Sequence, residues 1–279
     1  MRPLLAAALA ALLAPAAPAA AQACAPSEAA CAVAGGAYHI RLPGGPGPHP
    51  AVLFLHGHGG NGARAIANES RLGAFLAAGY AVIGPDGDRW RGPGSPRGWN
   101  AMAAPGRRDD VAFLRAVARD AAARFGLDPA RIAAAGFSAG GMMTWRLACD
   151  APAAFTGFAP VAGVFWKPVP TTCAGPAPIF HTHGTTDRVV PIAGRAVGGG
   201  RLVQGDADEV LSAAAARMAC AAPAPTARLG EIPGGWQAQE WPGCDGGALV
   251  SVRWGGGHDV PPGWAQAALA FLDSLAAPR

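Results

Sequence analysis

Residues 128–143 read DPARIAAAGFSAGGMM. Residues 131–136 form a short apolar run that suits a buried strand, and residues 139–149 suit a helix. Between them Gly136-Phe137-Ser138-Ala139-Gly140 satisfies G-x-S-x-G. A serine at that place is forced into a tight turn where flanking glycines avoid clashes, so its hydroxyl projects above the carboxyl ends of the strands. The competing reading is an ordinary turn whose serine caps the helix. The order strand, turn, helix favours a nucleophile.

Working outward, short apolar runs alternate with amphipathic stretches, separated by Gly and Pro. Strands are expected at residues 37–43, 51–56, 80–84, 131–136, 157–162, 178–183 and 249–254. Helices are expected at 62–78, 107–125, 139–149, 206–220 and 263–276, with Asp206 as an N-cap. This alternation demands right-handed crossovers and gives an α/β fold with a mostly parallel sheet covered on both faces. Residues 198–200, all glycine, and 222–225 read as loops.

A serine nucleophile requires a histidine base and a carboxylate to hold it, both later in the chain for such a fold. Asp187 follows the strand at 178–183 in a loop reading GTTDRVVP, and His258 follows the strand at 249–254 after three glycines. Each alone fits an ordinary loop residue. Their order Ser, Asp, His, each just beyond a strand, makes Ser138, Asp187 and His258 the expected triad. A tetrahedral intermediate also needs backbone N–H donors. Ala139, following the nucleophile, supplies one, and the main chain of His58 in LHGHGG at residues 55–60 supplies the other; no role is assigned to the His58 imidazole.

With 279 residues, 51% of them hydrophobic, 14% charged and a mean hydropathy of +0.21, the chain suits one globular catalytic domain and excludes a disordered tail or a coiled coil. The net charge is +4, and no stretch concentrates five or six like charges, so a nucleic-acid groove is not expected. All but one of the 22 basic residues are arginine, Lys167 being the exception, which reads as codon composition.

The start of the chain, basic at Arg2 and then apolar through LLAAALAALLA, reads as a signal peptide over residues 1–23. Ala21-Gln22-Ala23 offers a cleavage site that leaves Cys24 first in a mature domain at 24–279; Ala21 and Gln22 poorly match a lipidation signal. No later segment is long and apolar enough to anchor the chain, so a secreted or periplasmic protein is expected. Export favours bridges among the six cysteines over a zinc site, since no pair shows C-x-x-C spacing. The sequential arrangement, Cys24–Cys31, Cys149–Cys173 and Cys220–Cys244, closes short local loops.

These motifs, together with DDVAFL at 109–114, RLAC at 146–149, HGTTDRVVP at 183–191 and GGGHDVPPG at 255–263, resemble exported α/β-hydrolase esterases related to polyhydroxybutyrate depolymerases and feruloyl esterases. The likeness covers most of the mature chain. It implies an α/β-hydrolase fold, Ser138, Asp187 and His258 as triad, His58 and Ala139 as oxyanion donors, and bridges 149–173 and 220–244. One departure is Val260, two residues past His258, where such relatives often carry Trp.

Two other patterns compete. Gly57-His58-Gly59-Gly60-Asn61-Gly62 satisfies G-x-G-x-x-G, and Asp86 follows at about the spacing of a ribose-binding acid, ~20 residues. A dinucleotide role would leave Ser138 and His258 unexplained. The pairs His56/His58 and His181/His183 could clamp a metal at strand ends, but no carboxylates complete a set. His56 and His183 read instead as hydrogen-bonded supports of the site loops, and neither metal nor cofactor is expected. Of the eight tryptophans, Trp90, Trp99, Trp166 and Trp264 fall in expected loops near the site, whereas Trp145 and Trp254 read as core; Trp99 and Trp166 are the candidates for a pocket wall.

The expected activity is serine carboxylester hydrolysis on short-chain or polymer-linked esters, as in polyhydroxybutyrate depolymerases. A feruloyl or acetyl xylan esterase is the alternative, ahead of a serine peptidase or a non-catalytic exported binding protein. Little chain lies between residues 157 and 187 to build a lid, so the site is expected to be open.

Overall fold

Val52 and Phe54 leave one side of β3 (His49–Leu55) and Leu53 and Leu55 the other, and all four are buried. A strand covered on both faces reads as a continuous apolar run, and the central strands of this chain do so. β4 (Ala81–Pro85), β5 (Leu127–Phe137), β6 (Phe158–Val161), β7 (Pro178–Gly184) and β12 (Ala248–Trp254) pair in parallel with β3 in the order β4-β3-β5-β6-β7-β12. In this computed structural model the described residues are 24, 30–226, 228, 229 and 231–276, with the side chain of Ala276 excluded. The expected leader, residues 1–23, lies outside them.

Antiparallel strands complete a ten-stranded sheet among the described residues. β1 (Cys31–Val33) and β2 (Gly36–Arg41) extend it beyond β4, and β11 (Gln237–Trp241) and β10 (Ala224–Pro225) extend it beyond β12. A separate hairpin, β8 (Arg195–Val197) with β9 (Leu202–Gln204), turns through Gly198, Gly199 and Gly200.

Helices α1 (Gly62–Ile66), α2 (Glu69–Ala77), α3 (Asp110–Phe125), α4 (Ala139–Asp150), α5 (Ala207–Arg217) and α6 (Trp264–Ala276) divide between the faces. Leu72 and Phe75 of α2 and Trp264 and Phe271 of α6 pack with Val52 and Phe54, whereas Leu114 and Val117 of α3, Met143 of α4 and Leu211 of α5 pack with Leu53 and Leu55. Caps fix the ends of α3: Asp109 accepts from the Ala112 N–H, and Gly126 closes it at φ +62°. Asp206 caps α5 as expected, accepting from the N–H groups of Asp208 and Glu209.

Several expectations need correction. The helix expected over 62–78 is two helices, because Asn68 leaves helical geometry to cap α2. α3 begins at Asp110 instead of 107, and α5 ends at Arg217. The expected loop at 222–225 carries β10 at its end, and strands β1, β8, β9 and β11 are additional to those expected. Trp264 opens α6 and is buried, not in a loop, and Trp254 is only partly buried, its ring lying against Gly256.

Bridges join Cys24 to Cys31, Cys149 at the end of α4 to Cys173, and Cys220 after α5 to Cys244. In the chain-entropy picture each of the two longer loops contributes about 3 kcal/mol. No helix of the described residues is long and apolar enough to cross a membrane.

Packing at the junction of β3, β5 and α4 has no room for a methyl group. A Cβ at Gly140 would lie 2.0 Å from the Leu55 carbonyl oxygen, and one at Gly136 would lie 2.5 Å from the Gly140 oxygen. Gly140→Ala therefore lowers the urea midpoint by an equivalent of about 3 kcal/mol or more, while Gly255→Ala, which meets open space, leaves it nearly unchanged. Equal midpoints for the two variants would contradict this packing.

Candidate active site

Ser138 follows β5 and precedes α4 with φ +57° and ψ −119°, a conformation that L-residues adopt only when their surroundings force it. The forcing groups are the close contacts of Gly136 and Gly140 just described. Ser138 occupies the N-cap position of α4, yet its side chain makes no capping bond. Its Oγ instead lies 2.9 Å from His258 Nε2. His258 Nδ1 lies 2.7 Å from Asp187 Oδ2, so the three residues proposed from sequence form one hydrogen-bonded line.

Asp187 follows β7 and its side chain is fully buried, whereas His258, in the loop after β12, is 16% exposed. β7 and β12 are adjacent and parallel, with Gly184 in register with Trp254, so the loops that follow them emerge side by side. Asp187 Oδ1 accepts from the backbone N–H groups of Val189 and Val190, at 2.8 and 2.9 Å. With Oδ1 occupied, Oδ2 is left to His258. Burial alone would raise the Asp187 pKa, but the hydrogen bonds from His258, Val190 and Val189 outweigh it and hold the carboxyl below its ordinary value. An ionised Asp187 accepts from Nδ1–H, which leaves Nε2 bare toward the serine hydroxyl.

The loop after β3 runs against the serine: a Cβ on Gly57 would lie 3.5 Å from Ser138 Cβ. The N–H groups of His58 and Ala139 donate to no protein acceptor among the described residues, and Ala139 N–H opens α4, where helix N–H groups lack partners. His56 fastens this loop from beneath. Its Nδ1 donates to the Gly57 carbonyl at 2.7 Å, its Nε2 accepts from the Gly87 N–H at 3.0 Å, and its own carbonyl accepts from Trp99 Nε1 at 2.8 Å.

Trp99 is thus a correction to the sequence expectation. It is 4% exposed, tilted against His56 with ring centroids 4.9 Å apart, and supports the loop instead of lining a pocket. Trp166 does line a cleft, of about 420 Å³, with Met102, Phe165 and Pro168, but neither Ser138 nor His258 borders it. The space that borders Gly57 and His58, about 260 Å³, is walled by Phe137, Asn61, Arg64 and Arg71. Phe137 packs on His258 at 4.8 Å between centroids, and Arg71 lies over the Phe137 ring while pairing with Asp259. Phe137 was recognisable as the variable residue before the serine; nothing local marks Arg71.

The competing motifs have other uses. Asp86 Oδ1 accepts from the Gly62 N–H at 2.8 Å and Oδ2 pairs with Arg97 at 3.1 Å, so the carboxylate that mimicked a ribose ligand secures α1 to β4. Gly62 is required there because a Cβ would lie 1.9 Å from the Gly84 oxygen. His181 and His183 bond to each other, Nε2 to Nδ1 at 3.1 Å, inside the protein. Among the described residues no cluster of His, Cys, Asp and Glu could hold a metal.

Among solved structures, the acetyl xylan esterase from Aspergillus awamori superposes with a TM-score of 0.61 over 85% of this chain and 94% of that one, at 16% identity. The Bacillus cereus carboxylesterase gives 0.57 over 87% and 95%, also at 16% identity. The phospholipase/carboxylesterase family matches residues 116–198, from α3 through β5, Ser138 and Asp187 to β8. The chain has the α/β-hydrolase fold. Sequence relatives of this chain include NocK of Nocardia uniformis subsp. tsuyamanensis, which carries an esterase name, at 34% identity over 58% of this chain and 48% of the relative. Feruloyl esterase C of Emericella nidulans is 29% identical over 56% of this chain and 57% of that one. The chain thus spans about half the length of these two relatives.

Burial lowers the pKa of His56, of His183 and, furthest, of His181. An imidazole held neutral in the folded chain takes a proton readily once unfolded, so below about pH 6.5 the unfolded state binds more protons and stability falls with pH. Each such histidine contributes a slope of up to about 1.4 kcal/mol per pH unit. Urea denaturation at pH 7.0 and 5.0 should therefore give a clearly lower stability at pH 5.0, and equal stability at the two would contradict three buried neutral imidazoles.

Proposed function

We propose that this α/β-hydrolase is an exported serine carboxylesterase acting on short-chain or polymer-linked esters. The observation that carries the reading is the line Ser138 Oγ–His258 Nε2–Asp187 Oδ2, with contacts of 2.9 and 2.7 Å. Ser138 Oγ attacks the ester carbonyl while His258 Nε2 takes its proton. Asp187, held ionised, stabilises the resulting imidazolium and keeps the ring in the productive tautomer. The N–H groups of His58 and Ala139 receive the negative charge that grows on the carbonyl oxygen. His258 then protonates the departing alcohol, leaving an acyl group on Ser138, and a water activated by the same imidazole releases the acid. Three disulfides and the leader read from the sequence support export.

Substrate size follows from the surroundings of the serine. Residues 162–177, between β6 and β7, hold no helix, so this segment supplies no helical lid. A long acyl chain left in water gains nothing from its methylenes, each of which contributes about 0.8 kcal/mol only when buried. We infer short acyl groups, presented by a polymer too large to enter a cell: a 3-hydroxybutyrate polyester is the first reading. A feruloylated or acetylated polysaccharide is the second, favoured by the names of the Emericella and Aspergillus awamori proteins.

Turnover of p-nitrophenyl butyrate tests the mechanism. Ser138→Ala should lower it by about 10⁶-fold with an unchanged melting temperature, and Asp187→Asn by about 10⁴-fold; EDTA should change nothing. Wild-type rates in either variant would remove that residue from the mechanism, and a metal-restorable loss would replace it. Across acetate, butyrate and palmitate esters the two short ones should be preferred, and a marked preference for palmitate would refute the open site. Clearing of a polyhydroxybutyrate suspension and ferulate release from methyl ferulate decide between the two readings.

A further inference from the structure

We propose that His183, held in a single tautomer by His181 and Trp145, is a positioning residue that aims the Asp187 carboxylate at His258. The proposal rests on the esterase reading above and extends it to three buried side chains of α4 and β7 that the reaction scheme does not use.

Hydrogen-bond direction is fixed from both ends of this chain. Trp145 Nε1 can only donate, and it lies 3.3 Å from His181 Nδ1. Nδ1 of His181 is therefore bare, and its proton sits on Nε2, 3.1 Å from His183 Nδ1. At the far end the Val190 carbonyl can only accept, and His183 Nε2 lies 2.7 Å from it. His183 must carry its proton on Nε2 and accept at Nδ1, which is the arrangement the Trp145 end requires independently. Both imidazoles are 1% exposed, and residues two apart on β7 share a face, so the two rings meet with centroids 5.3 Å apart.

The chain ends on the peptide that orients the acid. His183 holds the Val190 carbonyl, while the Val190 N–H donates to Asp187 Oδ1 at 2.9 Å. His183 Nε2 also lies 3.6 Å behind Asp187 Oδ2, the oxygen that faces His258. A neutral His183 leaves that oxygen's charge to His258; a cationic one would compete for it. The surroundings oppose a second cation: Arg253 of β12 is in register with His183, His181 and His258 flank it, Asp187 is the one facing carboxylate among the described residues, and Trp145 closes the far side. Arg253 itself pairs with Asp208 at the start of α5.

His183→Leu keeps an apolar filling and removes the donor, His183→Gln keeps an amide donor toward Val190, and Trp145→Phe removes the indole N–H while keeping an aromatic ring, somewhat smaller, in the core. The readouts are kcat and KM on p-nitrophenyl butyrate, the melting temperature, and the downfield ¹H NMR signal of the His258 Nδ1 proton shared with Asp187. His183→Leu should lower kcat by about 10–100-fold with KM within about twofold, and should shift or abolish the downfield signal. His183→Gln should recover most of kcat and keep the signal, and Trp145→Phe should lower kcat by a few-fold. Equal losses in the Leu and Gln variants that track melting temperature, with the proton signal unmoved, would overturn the proposal in favour of packing alone. Should the Leu variant not fold, a Trp145→Phe enzyme with wild-type kcat and an unmoved signal overturns it equally. If the wild type hydrolyses no ester, the esterase reading fails, and the NMR comparison still decides whether His183 orients Asp187.

Discussion

Three backbones meet at the end of β5 at distances that exclude every side chain larger than hydrogen, and the position of Ser138 follows from that exclusion. Gly136, Gly140 and the Leu55 carbonyl touch. Gly141 meets the Val161 carbonyl and Gly163 the Ser138 carbonyl in the same way, so β3, β5, β6 and α4 are locked together around one residue. The serine between them takes a positive φ because the chain must pass from strand to helix without separating these backbones. The same closeness carries the start of α4 past the end of β3, which sets Ala139 and the Gly57–His58 loop beside the serine. Hydroxyl and amide donors are thus placed by sterics, before any side-chain hydrogen bond acts.

Two loops at the carboxyl edge of the sheet are then fastened by buried imidazoles. His56 ties the loop after β3 to the turn after β4 through Gly57 and Gly87. His183 ties the loop after β7 to its own strand through Val190. Each works as a neutral ring with one donor and one acceptor, which suits a low-dielectric site where a charged group would be costly to bury. His258 differs in being partly exposed and in hydrogen-bonding directly to the ionised Asp187 carboxylate, and that contrast separates the ring suited to proton transfer from the rings that hold the frame.

Legibility in the sequence followed how local the deciding interactions are. The six parallel strands were readable because burial on both faces writes them as apolar runs, and Ser138, Asp187 and His258 because each stands just beyond one. β11, reading QAQEW, has no such run: its ladder to β12 makes it a strand. The break between α1 and α2 turns on a single Asn68 cap inside an otherwise helical pattern. Trp99 was misread because an aromatic in a loop is equally suited to a pocket or to a buried support, and its partner His56 is distant in sequence. Asp86 shows the same limit from the other side, since its spacing from a glycine motif fits a ligand while its contacts serve α1 and β4.

The proposed mechanism stands or falls on covalent acylation of Ser138. Mixing the protein with excess p-nitrophenyl butyrate, quenching in acid within milliseconds and mapping the peptides by mass spectrometry measures this directly. One butyryl group per chain is expected, on the peptide containing Ser138. A protein that releases nitrophenol under these conditions with no acyl group on that peptide, or with the group on another residue, would contradict it.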